Sequence, residues 1–113
     1  MKEFVRYITA DNSTIEQKLT SLDSLEYYVH QIDNALDLDK IGGLEPIVNL
    51  LNNTDEDIQE RAANLLAAAT QNNAGVKKLV FGYGGLRLLL QMVHREKKVR
   101  RLFWDLVSIF GTY

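Results

Sequence analysis

Apolar residues take up a helical rhythm early in the chain. Between Ser13 and Leu36, the residues Ile15, Leu19, Leu22, Leu25, Val29, Ile32 and Leu36 are spaced 4, 3, 3, 4, 3 and 4 apart, which is one stripe on a 3.6-residue helix. Ser13 or Thr14 stands where it can cap the start, with Glu16 or Gln17 as the reciprocal partner. Asp33-Asn34 would end it, since both side chains compete for backbone hydrogen bonds. This predicts a capping helix over 13–34, preceded by an N-terminal tail over 1–12. A short helical turn from Ala35 to Ile41 then runs into Gly42-Gly43. In the next helix Leu44, Ile47, Val48, Leu50 and Leu51 share a side, and Pro46 sits near the start, where a missing N–H costs nothing. Thr54 is expected to cap a longer helix whose first turn, Asp55-Glu56-Asp57, sets anions against the positive end of the dipole. Its core stripe is Ile58, Ala62, Leu65, Leu66 and Ala69, with Ala63, Ala67 and Ala68 permitting close approach, and Gln71-Asn72-Asn73 ends it.

The pattern then recurs. Ile41-Gly42-Gly43-Leu44 matches Tyr83-Gly84-Gly85-Leu86 at a shift of 42 residues, and Ile47, Val48, Leu50 and Leu51 fall on Leu89, Leu90, Met92 and Val93. After one residue is dropped, Ile58, Ala62, Leu65, Leu66 and Ala69 fall on Val99, Phe103, Leu106, Val107 and Phe110. A short helix, a glycine turn and two longer helices at this period are the mark of a helical solenoid. The expected fold is all-α: a single armadillo-like domain over 1–113, a right-handed solenoid with a capping helix and two three-helix repeats, 35–73 and 74–113. No period-two strand pattern competes with it.

Composition narrows the chemistry. The chain has 113 residues, 46% hydrophobic and 25% charged, enough for one core. It has no cysteine, which excludes disulfides, thiolate metal sites and a thiol nucleophile. No apolar run is long enough to span a bilayer, so no membrane partner is expected. Met1 to Asn12 does not read as a secretory signal, so a lumenal protein would be a processed form. The net charge of −2 conceals a division: residues 1–60 carry 13 acids and 4 bases, whereas 61–113 carry 2 acids and 9 bases. Gly82-Tyr83-Gly84-Gly85 follows a helix rather than a strand, so the repeat accounts for it better than a phosphate loop does. His30 and His94 are far apart, no cluster has metal-ligand spacing, and Asp55-Glu56-Asp57 is explained by capping. No catalytic residue, cofactor or metal is expected. The basic run Arg95, Lys97, Lys98, Arg100 and Arg101 lacks interleaved aromatics, so a solvated face is favoured over a nucleic-acid partner. Asn12-Ser13-Thr14 and Asn52-Asn53-Thr54 are glycosylation sequons. Trp104 and Val107 lie where a following repeat would pack, an apolar edge expected to be exposed, self-associated or covered by a partner.

The run Leu25-Glu26-Tyr27-Tyr28-Val29-His30-Gln31-Ile32-Asp33-Asn34-Ala35 resembles the armadillo-type nucleotide-exchange factors of heat-shock protein 70 chaperones, in particular the endoplasmic-reticulum branch that serves the chaperone BiP. Ile41-Gly42-Gly43-Leu44, Ala62-Ala63, Gln71-Asn72-Asn73 and Gly84-Gly85-Leu86 extend the likeness over about residues 19–110, the N-terminal half of the family core. The resemblance implies a non-enzymatic regulator that clasps the chaperone's ATPase domain in its concave face and promotes ADP/ATP exchange. It also implies the endoplasmic-reticulum lumen; without it, the cytoplasm is the default. Armadillo solenoids line the concave face with the third helix of each repeat. Helical phase then nominates Glu60, Asn64, Ala67 and Gln71 on one such helix, and Lys98, Arg101, Asp105 and Ser108 on the next. Two other readings are a peptide-binding armadillo scaffold and a fragment that dimerises through Trp104. Against the scaffold, Asn64 and Ala68, like Asp105 and Ile109, do not make the Trp/Asn ladder such proteins present.

Overall fold

The computed structural model describes residues 2–29, 32–70 and 73–95. In chain order the helices are α1 (Lys2–Thr9), α2 (Ile15–Val29), α3 (Ile32–Lys40), α4 (Leu44–Asn49), a 3-10 turn (Leu50–Asn52), α5 (Glu56–Thr70), α6 (Ala74–Gly82) and α7 (Gly85–Arg95). No strand occurs among the described residues.

The expected tail over 1–12 contains a helix instead. α1 buries Val5 and Ile8, which lie one turn apart on one face and pack against α2 and α4. Its two turns are too few to form unaided; tertiary packing makes the helix. Its C-terminal end is held from outside, where Lys18 Nζ donates to the carbonyls of Ile8 (3.5 Å) and Ala10 (3.3 Å), placing a cation at the negative end of the dipole. α2 opens with a capping box: Gln17 N donates to Thr14 Oγ1 at 3.0 Å, and Thr14 N to Gln17 Oε1 at 2.9 Å.

Within the helix expected over 13–34, α2 is described to Val29 and α3 from Ile32, and residues 30 and 31 lie outside the described ones. Asn34, expected to end that helix, donates from its Nδ2 to the Tyr28 carbonyl near the end of α2 at 3.0 Å. At α5 the cap is Asp55 rather than Thr54. Asp55 Oδ1 accepts from Asp57 N (2.9 Å) and Ile58 N (3.1 Å), while Asp55 N itself donates to Asn53 Oδ1 (2.8 Å). Asn73 begins a helix as well as following one, since its Oδ1 accepts from Val76 N at the start of α6.

The two glycine pairs divide their work in the same way. Gly42 (φ 78°) and Gly84 (φ 89°) adopt the left-handed conformation that reverses the chain after a helix. Gly43 and Gly85 behind them admit close packing: a Cβ on Gly43 would lie 2.6 Å from Leu38 Cδ1, and one on Gly85 would lie 2.8 Å from the Val80 carbonyl oxygen.

Packing arranges these elements in layers along the chain. α1 and α2 form the first, α3 to α5 the second, and α6 and α7 begin the third. α2 lies along α5, and α3 touches both α5 and α6. Leu22, Leu25, Leu44, Ile47, Leu51, Leu65 and Leu66 are wholly buried between layers, each contributing about 1.5–3 kcal/mol of transfer free energy. The expected core position Leu90 is 46% exposed, whereas its repeat counterpart Val48 is buried. Val48 belongs to α4, which α5 covers; the corresponding segment of the second repeat falls in 96–113, outside the described residues.

Candidate interaction face

α5 turns its apolar stripe inward, with Ile58, Ala62, Leu65, Leu66 and Ala69 all buried. The opposite side carries Glu60, Asn64 and Ala67, each half-buried, as their phase predicted. Spacings of four and three residues line them up along one ridge. Gln71, which would extend the ridge, lies outside the described residues, as do Lys98, Arg101, Asp105, Ser108, Trp104 and Val107. The structure therefore brings together Glu60, Asn64 and Ala67 from the sequence-based set.

Beside this ridge lies α2, tied to α5 by an ion pair between Asp23 Oδ2 and Arg61 Nη1 at 2.6 Å. Both partners remain partly in water, so the pair fixes register more than it adds stability. The outward side of α2 carries Thr20 and Tyr27, both exposed. Tyr27 meets the Tyr28 ring edge-on at 5.9 Å, and Tyr28 rests against Phe4 of α1 at 6.3 Å. Sequence reasoning did not select Tyr27. The available signal was the Tyr-Tyr pair itself, since adjacent residues on a helix diverge by 100° and both cannot face the core.

A concavity of about 440 Å³ lies elsewhere, lined by Thr9, Asp39, Gly42, Glu45, Pro46, Asn49 and Tyr83. There Tyr83 Oη donates to Asp39 Oδ1 at 2.6 Å. That bond, with partial burial and the nearby charges of Asp39 and Glu45, pushes the phenol up to about 12. Among the described residues no group of three or more His, Asp or Glu could hold a metal ion, and no helix is long and apolar enough to cross a membrane. The sequon asparagines Asn12 and Asn52 are both exposed, one in the turn before α2 and the other ending the 3-10 turn. His30 lies outside the described residues, and so do Lys97 to Arg101 of the basic run.

Residues 34–110 match the family profile of the SIL1/FES1/HPBP1 C-terminal domain. The chain belongs to this family. A second profile, nucleotide exchange factor Fes1, matches residues 1–38, so the helix α1 falls inside a recognised segment. Among curated relatives, rat nucleotide exchange factor SIL1 is 38% identical over 97 residues, 86% of this chain and 21% of that protein. The Hsp70 nucleotide exchange factor fes-1 of Neurospora crassa is 33% identical over 106 residues, covering 89% of this chain and 43% of its own. The chain thus spans about a fifth of the first relative and less than half of the second. A designed armadillo repeat protein, solved with a (KR)4 peptide, superposes with a TM-score of 0.86 at 19% identity over 96% of this chain and 46% of that one. An engineered protein superposes with a TM-score of 0.85 at 20% identity, over 96% and 44%. Both likenesses establish the fold: within this family the chain is an all-α, armadillo-like solenoid.

Proposed function

We propose that the chain is a non-enzymatic co-chaperone that binds the ATPase domain of a heat-shock protein 70 and promotes exchange of ADP for ATP. The observation that carries this reading is the continuous family match: one profile covers 1–38 and the other 34–110. The named relatives are nucleotide exchange factors. The contact surface is the α5 ridge, Glu60 and Asn64, continued by Gln71 and by Lys98, Arg101, Asp105 and Ser108 of the following repeat. Such a factor works by preference among states. It must bind the open ATPase domain more tightly than the nucleotide-closed one, because equal affinity shifts no population. The SIL1-like run from Leu25 to Ala35 favours BiP in the endoplasmic-reticulum lumen as the partner.

Stopped-flow release of fluorescent ADP tests the proposal, with BiP and a cytosolic heat-shock protein 70 run side by side. The expected result is faster release from BiP than from the cytosolic chaperone as the chain is titrated in. No acceleration from either at saturation would remove exchange activity from this chain. Equal acceleration would remove the lumenal preference alone.

A further inference from the structure

Tyr27 is 78% exposed, twice the value for its neighbour Tyr28. Its position follows from helix phase. Stepping about 100° per residue from Tyr27 brings Thr20 to about 20° away and sends Leu22, Leu25 and Val29 to the far side. Nothing in the core requires an aromatic ring there. The ring lies edge-on to Tyr28, which in turn lies against Phe4. A rigid aromatic with two side-chain torsions loses little entropy on binding, which is why tyrosine is over-represented among residues that dominate interfaces. The ring also stands on the helix that runs along α5, across the Asp23–Arg61 seam from Glu60 and Asn64.

We infer that Tyr27 is the aromatic anchor of the partner-binding face, inserting into an apolar pocket of the chaperone's ATPase domain and carrying the contact from α5 onto the capping helix. This rests on the function proposed above. The occupant is argued from continuity of the surface and from charge. Glu16 lies on the same stripe of α2 as Thr20 and Tyr27, Glu60 stands on the neighbouring α5, and Asp23 and Arg61 offset one another. A matching pocket is therefore apolar at its centre and cationic at its rim.

The test is biolayer interferometry against immobilised, nucleotide-free BiP ATPase domain. It compares the full chain with Tyr27→Ala, Tyr27→Phe and Tyr7→Ala, the last a half-exposed aromatic on α1 as control. Tyr27→Ala should weaken binding about tenfold or more, the loss typical of a central aromatic. Tyr27→Phe and Tyr7→Ala should stay within about twofold of the parent. Thermal unfolding by circular dichroism should be unchanged in Tyr27→Ala, because little of the ring is buried in the free protein. If the parent binds and Tyr27→Ala binds equally well, the anchor is wrong and the proposed function stands. If Tyr27→Phe is as weak as Tyr27→Ala, the hydroxyl makes the contact and the apolar pocket is wrong. No binding by the parent overturns the function and the anchor together. A parent dimer in sedimentation that Tyr27→Ala dissociates would assign the ring to a second copy of the chain and overturn the proposal.

Discussion

A phenol and a carboxylate separated by 44 positions meet at 2.6 Å where the end of α3 faces the turn after α6. The hydrogen bond joins equivalent corners of successive repeats, so it reports on stacking. It also makes a pH prediction whose sign is fixed by linkage. Tyr83 keeps its proton to about 12 in the folded chain, against 10.0 for an ordinary tyrosine. Between those values the folded state binds more protons than the unfolded one, so stability falls as pH rises through the window. The contribution is complete below pH 10 and absent above about 12. Tyr83→Phe should remove the slope and cost about 0.5–1.5 kcal/mol at neutral pH, the net worth of one hydrogen bond. Urea midpoints of parent and variant across this range check the stability claim. The difference between their phenolate absorbance titrations checks the group itself; a difference centred near 10 would mean that Tyr83 does not hold its proton as described.

Among the elements, the glycine pairs set the angle between consecutive helices, and their two members fail for different reasons. At Gly85 an added methyl would meet the Val80 carbonyl oxygen at 2.8 Å and Val80 Cγ1 at 2.6 Å. Backbone cannot step aside without moving the end of α6. At Gly43 the nearest atoms are the side-chain carbons Leu38 Cδ1 (2.6 Å) and Val5 Cγ2 (2.7 Å), which can shift at some packing cost, and the nearest backbone atom, the Leu38 carbonyl oxygen, is farther off at 3.2 Å. Gly85→Ala should therefore destabilise by about 2–3 kcal/mol and Gly43→Ala by about 1–2 kcal/mol. Chemical denaturation with an unchanged m-value measures both, and a larger loss at Gly43 would reverse the argument. These pairs were legible from the sequence because the same four-residue pattern recurs at a fixed shift. So were the stripe of α5 and, apart from Ile15, which is 52% exposed at the first turn, that of α2, and with them the outward placing of Glu60 and Asn64. α1 was not, because Val5 and Ile8 make too short a stripe to stand out until α2 and α4 are in place. Nor was the choice of Asp55 over Thr54, two competent caps one residue apart; the bond from Asp55 N to Asn53 decides it. The contribution of α2 to the candidate face was hidden for a third reason. It depends on which helix lies beside α5, and periodicity within one helix carries no such information.

At the scale of the molecule, stacking in chain order turns a feature of the sequence into one of space. In a solenoid each layer contacts only its neighbours, so position along the chain becomes position along the axis. Residues 1–60 carry 13 acids and 4 bases, while 61–95 carry 5 bases and no acid. The first two layers are thus negative as far as Glu60, and positive charge begins at Arg61 and continues into α6 and α7. The molecule is 35 Å in its longest dimension. At about 0.1 M salt the Debye length is only about 10 Å, so the two ends act independently; at about 0.01 M it approaches 30 Å and each end feels the other. A chain of net charge −2 with charge spread evenly would bind weakly to an anion exchanger and pass through a cation exchanger. This chain, free to orient, should be retained by both resins at neutral pH and about 0.05 M salt, each capturing the opposite end. Elution from both should come with modest added salt, and mutating Lys77, Lys78 and Arg87, three of the nine bases in 61–113, to glutamine should lower the salt at which the chain leaves the cation exchanger. Passage of the parent through that resin would show that the division of charge along the sequence does not survive as a division in space.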